Sequence, residues 1–186
     1  MLRSVLLLLV LSPFQAIYGQ ARPVAQLFST WEEPIGGGHP SAAPRLSKSA
    51  PALYGDLERR VFELINQERR ALGLEELLWD ETLAQLARLH SIDMADRETL
   101  SHLGADGADT VTRARAYGVR GWRALGENIA FNQGFDDPAN MAVERWMVSP
   151  KHRANITNPF FTHTGIGVAR APDGRIFFTQ IFVAWR

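Results

Sequence analysis

Two imidazoles and a carboxylate stand at even spacing in this chain: His102, Glu127 and His152, each 25 positions from the next. Histidine and glutamate are the side chains that hold a divalent cation through nitrogen and oxygen, or that pass a proton as acid and base. Two neutral imidazoles and one carboxylate match zinc best and leave a fourth position for water. Any chain with five histidines offers such triples, so local context has to decide. His102 closes Leu100-Ser101-His102, and Glu127 lies in Leu125-Gly126-Glu127-Asn128. His152 lies in Ser149-Pro150-Lys151-His152-Arg153-Ala154-Asn155-Ile156. Asn128, Ser149 and Asn155 are the neighbours with polar side chains suited to a supporting role.

Regular elements must aim these groups. A helix over residues 56–72 puts Leu57, Val61, Leu64, Ile65 and Leu72 on one face, with Asp56 as its cap and Gly73 as its stop. A second helix follows Asp80, with Leu83, Leu86, Ala87, His90 and Met94 on its apolar face. His90 is therefore expected as a core histidine with one hydrogen bond. His102 sits where that helical signal fades, beside glycines, where a side chain can enter a cleft. Residues 109–117 predict a short helix closed by Gly118, with Arg113 and Arg115 solvated.

The first strand is expected over 125–131, with Glu127 near its start and Gly126 allowing close backbone approach. Asn128 is expected to tie backbone groups together. Asp137-Pro138 opens a helix with a capping carboxylate and proline at the first position. Ala139, Ala142, Val143, Trp146 and Met147 form its buried face, with Glu144 on the flank. Ser149-Pro150 ends it, because proline disfavours helical geometry in the residue before it. Asn155-Ile156-Thr157 spells a glycosylation acceptor by coincidence, Asn155 being structural. Residues 164–169 predict a strand with close-packing glycines, with His163 solvated at its edge. Pro172-Asp173-Gly174 predicts a hairpin turn, and residues 176–185 a central strand buried on both faces.

Upstream, residues 1–21 read as a secretory signal peptide: Arg3, an apolar core over 5–11, and small residues around Gly19 and Ala21. The apolar run is short for a stable transmembrane segment. Residues 22–54, rich in Pro, Gly, Ser and Ala, show no apolar period and are expected as a flexible linker or arm. His39 falls there and is given no role. Residues 55–186 form the folded domain. The net charge is zero, so no bulk attraction to nucleic acid is expected. There is no cysteine, which excludes disulfides, thiol chemistry and thiolate metal sites.

The order Ser-His, Gly-Glu-Asn, an amphipathic helix with Trp146, Ser-Pro-x-His-Arg-x-Asn-Ile, Gly-x-Gly-Val and a closing aromatic strand resembles the bacterial branch of the CAP superfamily. That superfamily includes cysteine-rich secretory proteins, antigen 5 and pathogenesis-related class-one proteins. The resemblance covers about residues 56–185 and implies an α+β fold, a three-layer α-β-α sandwich around a mostly antiparallel sheet with a central cleft. It places His102, Glu127 and His152 at three of the four positions where the family commonly carries two His and two Glu. The second Glu position falls on Ser149. Animal and plant relatives are usually disulfide-bonded; this chain departs from them.

The expectation is a secreted protein, extracellular or periplasmic. It would act as a binding or interaction module for an extracellular ligand such as a lipid or cell-envelope component, with zinc or another divalent cation as an optional occupant. The alternatives are a metal-dependent hydrolase of an extracellular polymer or peptide, and a lipid or sterol carrier.

Overall fold

The computed structural model describes residues 24–32 and 55–185; the expected signal peptide and residues 33–54 lie outside them. Five strands form one sheet in the order β1-β3-β5-β4-β2. The strands are β1 (Val24–Glu32), β2 (Leu78–Trp79), β3 (Trp122–Gln133), β4 (His163–Arg170) and β5 (Ile176–Trp185). All neighbouring pairs run antiparallel except the short β2 beside β4. The helices are α1 (Gly55–Ala71), α2 (Glu81–Asp96), α3 (Thr110–Ala116), α4 (Pro138–Val148) and α5 (Pro150–Ile156).

The sandwich follows from strand alternation, since successive side chains leave opposite faces. On β3 and β5, Ala124, Ala130, Phe178 and Phe182 join Val61 and Ile65 of α1, Trp146 of α4 and Ile156 of α5 in one core. Leu125, Ile181 and Val183 join Leu83, Leu86 and Ala114 of α2 and α3 in another. Met94, Ile129, Phe131 and Phe177 continue that second side. The sheet therefore lies between an α1/α4/α5 layer and an α2/α3 layer, the expected three-layer α+β arrangement. β5 is its buried central strand, as its apolar run predicts.

Most helix starts were legible because carboxylate caps are local. Asp80, Asp109 and Asp137 accept hydrogen bonds from the backbone N–H of Leu83, Thr112 and Asn140 respectively. Pro150 both ends α4 and supplies the first turn of α5, a helix not expected from the sequence. Leu72, placed on the apolar face of α1, is 45% exposed because the helix ends at Ala71 and Gly73 turns the chain at φ 70°.

Two corrections concern the sheet. Residues 24–32, within the stretch expected as a flexible linker or arm, form β1, which pairs along β3 from Val24 opposite Gln133 to Glu32 opposite Leu125. The run Val-Ala-Gln-Leu-Phe-Ser-Thr-Trp-Glu is rich in β-formers, but its Pro/Gly/Ser surroundings hid it. The first strand in the chain is thus β1, and β3 is longer than residues 125–131.

At the opposite edge, α1 and α2 meet around β4. Arg88 of α2 makes a buried, two-toothed ion pair with Glu58 of α1 and a further one with Glu81.

Candidate functional site

Glu127 is fully buried on β3. It belongs to the odd-numbered face, under α2 and α3. The loop after α2 brings His102 to it, with Nδ1 2.7 Å from Oε1. Thr110, at the start of α3, donates its hydroxyl to the same oxygen at 2.9 Å. Arg113, one turn later, donates from Nη2 to Oε2 at 2.6 Å. Its other terminal nitrogen, Nη1, donates to the backbone carbonyls of His102 and Ala108, at 2.5 and 2.9 Å. One guanidinium thus fixes both the carboxylate and the loop that carries His102. Arg113 was expected to be solvated; its side chain is only 13% exposed. Arg115 instead stacks over the Trp122 ring.

Burial alone pushes the Glu127 carboxyl up. The Arg113 charge, the His102 hydrogen bond and the nearby His90 outweigh it and hold the group at about 2. Glu127 is therefore an anion at neutral pH and can only accept. Hence His102 donates from Nδ1.

His90 completes the group as the expected core histidine. Its Nε2 donates to the Ser101 carbonyl at 2.9 Å and lies 4.0 Å from Glu127 Oε1. Burial pushes it down to about 4, so it is neutral at pH 7.

The other predicted residues gather on the even-numbered face. Asn128 donates to the His152 carbonyl at 3.2 Å, and Asn155 donates to Asn128 Oδ1 at 2.9 Å and to the Glu127 carbonyl at 3.3 Å. Nδ1 of His152 is hydrogen-bonded to Ser149 Oγ at 2.7 Å. Asn128 ties backbone as expected, and Asn155 is only 2% exposed, which removes it from the surface a glycosylated asparagine needs. Arg69 of α1 anchors the end of α5, donating to the carbonyls of Ile156 and Asn158 at 2.7 and 3.0 Å.

The structure thus joins His102 to Glu127, and places His152 on α5 with its ring on Ser149 and its backbone carbonyl held by Asn128. Strand alternation turns Glu127 and Asn128 to opposite faces of the sheet, so Glu127 meets the α2/α3 layer and Asn128 the α5 side. His163 lies at the edge of β4 against Thr162 and the Trp185 ring, away from these groups. Glu144 lies on the exposed flank of α4, bonded to Asn140.

Among the described residues, no group of three or more His, Cys, Asp or Glu is placed to hold a metal. Both Glu127 oxygens already accept hydrogen bonds, one of them from a guanidinium that would repel a second cation.

Thr110 and Arg113 are the functional-site residues that sequence reasoning missed. The available signal was their spacing: with Asp109 as cap, positions three apart share one face of α3.

Residues 62–182 match the family model described as the cysteine-rich secretory protein family, CAP. The Bacillus subtilis protein YkwD is 38% identical over 135 residues, covering 73% of this chain and 50% of that protein. The B. subtilis membrane protein YlbC is 36% identical over 126 residues, 68% of this chain and 34% of its own length. The chain thus spans half or less of the curated relatives it matches. Among solved structures, an extracellular protein containing an SCP domain from Bacillus anthracis superposes with a TM-score of 0.60 at 30% identity, covering 73% of this chain and 45% of that one. An outer surface protein of Borrelia burgdorferi shares the fold, with a TM-score of 0.63 at 22% identity over 70% of this chain and 94% of that one.

Proposed function

The chain belongs to the cysteine-rich secretory protein family, and from that premise we propose that it is an exported binding module, not a hydrolase. The observation that carries this reading is the state of Glu127. A general base works best with a pKa near the working pH. A carboxyl held at about 2, with Arg113 and Thr110 on its oxygens, is a poor proton acceptor and a poor cation ligand. The same contacts make a rigid polar seam, suited to holding the His102 loop and the start of α3 in one shape. Export is supported by the basic start, apolar core and small residues of 1–21. No described helix is long and apolar enough to cross a membrane. The ligand class is an extracellular one, such as a cell-envelope component or a lipid.

Zinc calorimetry on the wild type and on His102→Ala, Glu127→Gln and His152→Ala, run beside a hydrolysis screen on peptides and polysaccharides, tests the reading. The expected result is no turnover, with zinc heats that do not depend on these side chains. Zinc-dependent turnover that Glu127→Gln abolishes would sink it in favour of the hydrolase. Mass spectrometry of co-purified lipid checks the carrier alternative.

A further inference from the structure

The family match begins at residue 62, so β1 is outside it, yet β1 completes the sheet. Without β1, the outer edge of β3 would be open over residues 125–133. In an antiparallel pair, each residue aims its N–H and C=O to the same side, and alternate residues aim oppositely. About half of the nine β3 positions therefore present both backbone groups to whatever lies on that edge. β1 satisfies them in unbroken register and lies beside the site, with Thr30 opposite Glu127 and Ser29 opposite Asn128. It also runs alongside α5. What joins it to α1 is residues 33–54, a stretch carrying Gly36-Gly37-Gly38 and four prolines.

We infer that the β3 edge is a peptide-binding edge: it takes an extended polypeptide segment of another molecule as an added antiparallel strand, and residues 24–32 are its tethered resident. This rests on the binding-module reading and names its partner class. Strand addition draws affinity from main-chain hydrogen bonds, which an edge offers to any strand of suitable pattern. A covalent tether holds its own strand at an effective concentration in the millimolar range. A free peptide therefore competes poorly until the tether is cut or the partner's strand is held close by other contacts. The domain is thus shielded from indiscriminate edge pairing while keeping an edge it can yield.

The test uses the full mature chain with a site-specific protease sequence inserted after Gly37. The probe is a fluorescein-labelled peptide of residues 24–32, read by anisotropy at equilibrium. The nicked protein is expected to take up the probe saturably, and the uncut protein to bind it at least tenfold more weakly. Proline gives the decisive pattern, because it removes one backbone N–H and is tolerated only where that N–H faces away from the sheet. Peptides carrying Leu27→Pro or Phe28→Pro are expected to differ: one parity loses binding at least tenfold and the other keeps most of it.

Equal losses at both positions, equal binding of a scrambled peptide, or a nicked protein that takes up no probe would each overturn the inference. Such a failure leaves the module reading standing if the zinc and hydrolysis screen stays negative. Turnover in that screen would remove the module reading even with the proline pattern intact.

Discussion

Arg113 decides what Glu127 is. A buried carboxylate facing only neutral partners would be pushed toward protonation; the guanidinium keeps it an anion. Removing the cation strands the charge, so Arg113→Met is expected to cost about 3 kcal/mol of stability in urea unfolding at pH 7. Adding Glu127→Gln should recover part of that loss, and strict additivity of the two changes would refute the coupling.

His90 sets the acid sensitivity. Burial pushes it down to about 4 in the folded chain, against an ordinary 6.5. Between those values the unfolded chain binds the extra proton, so stability falls as pH drops from the ordinary value toward the folded one. The whole window is worth about 3 kcal/mol. Glu127 acts lower. Its contribution is complete above the ordinary carboxyl range and is lost as pH falls toward its folded value of about 2. The urea midpoint should therefore fall between about pH 7 and 5, and His90→Gln should flatten that stretch alone. A wild-type midpoint constant over the interval would rule this out. In the sequence, the roles of His90 and Asn128 were legible because a helical stripe and a strand neighbour define them locally. Arg113 was not, because its target depends on how the loop between α2 and α3 folds back.

At the scale of elements, α2 lies directly on β4, and two glycines make that possible. A Cβ on Gly165 would stand 2.1 Å from the Ala84 backbone nitrogen, and one on Gly167 2.1 Å from that of Arg88. The neighbouring atoms are backbone, so no side-chain rotation relieves the clash. Gly167→Ala is expected to destabilise by about 3 kcal/mol and to disturb the Arg88–Glu58 pair that closes the sheet edge. A loss below about 1 kcal/mol in the same urea assay would mean the two elements can part at little cost. The Gly-x-Gly spacing made this contact legible, as carboxylate caps did the helix starts. β1 escaped because its partner, β3, lies about a hundred positions away, and strand pairing at that distance leaves no local trace.

At the scale of the molecule, a chain without cysteine is held by two apolar layers on one sheet. β1 is the only described strand upstream of those layers. A chain starting at Asp56 is expected to keep a cooperative thermal transition, lowered by a few degrees, and to scatter light increasingly with concentration as the β3 edge pairs between molecules. Loss of cooperativity would make β1 obligatory for folding. The strand order carries one more consequence, in time. β5 lies between β3 and β4, and both are made before it. Until residues 176–185 emerge from the ribosome, the strands on either side have no common partner, and neither apolar layer can close. The nascent chain cannot fold piece by piece; it waits for its centre. That delay exposes apolar surface to chaperones and to aggregation until the closing strand arrives.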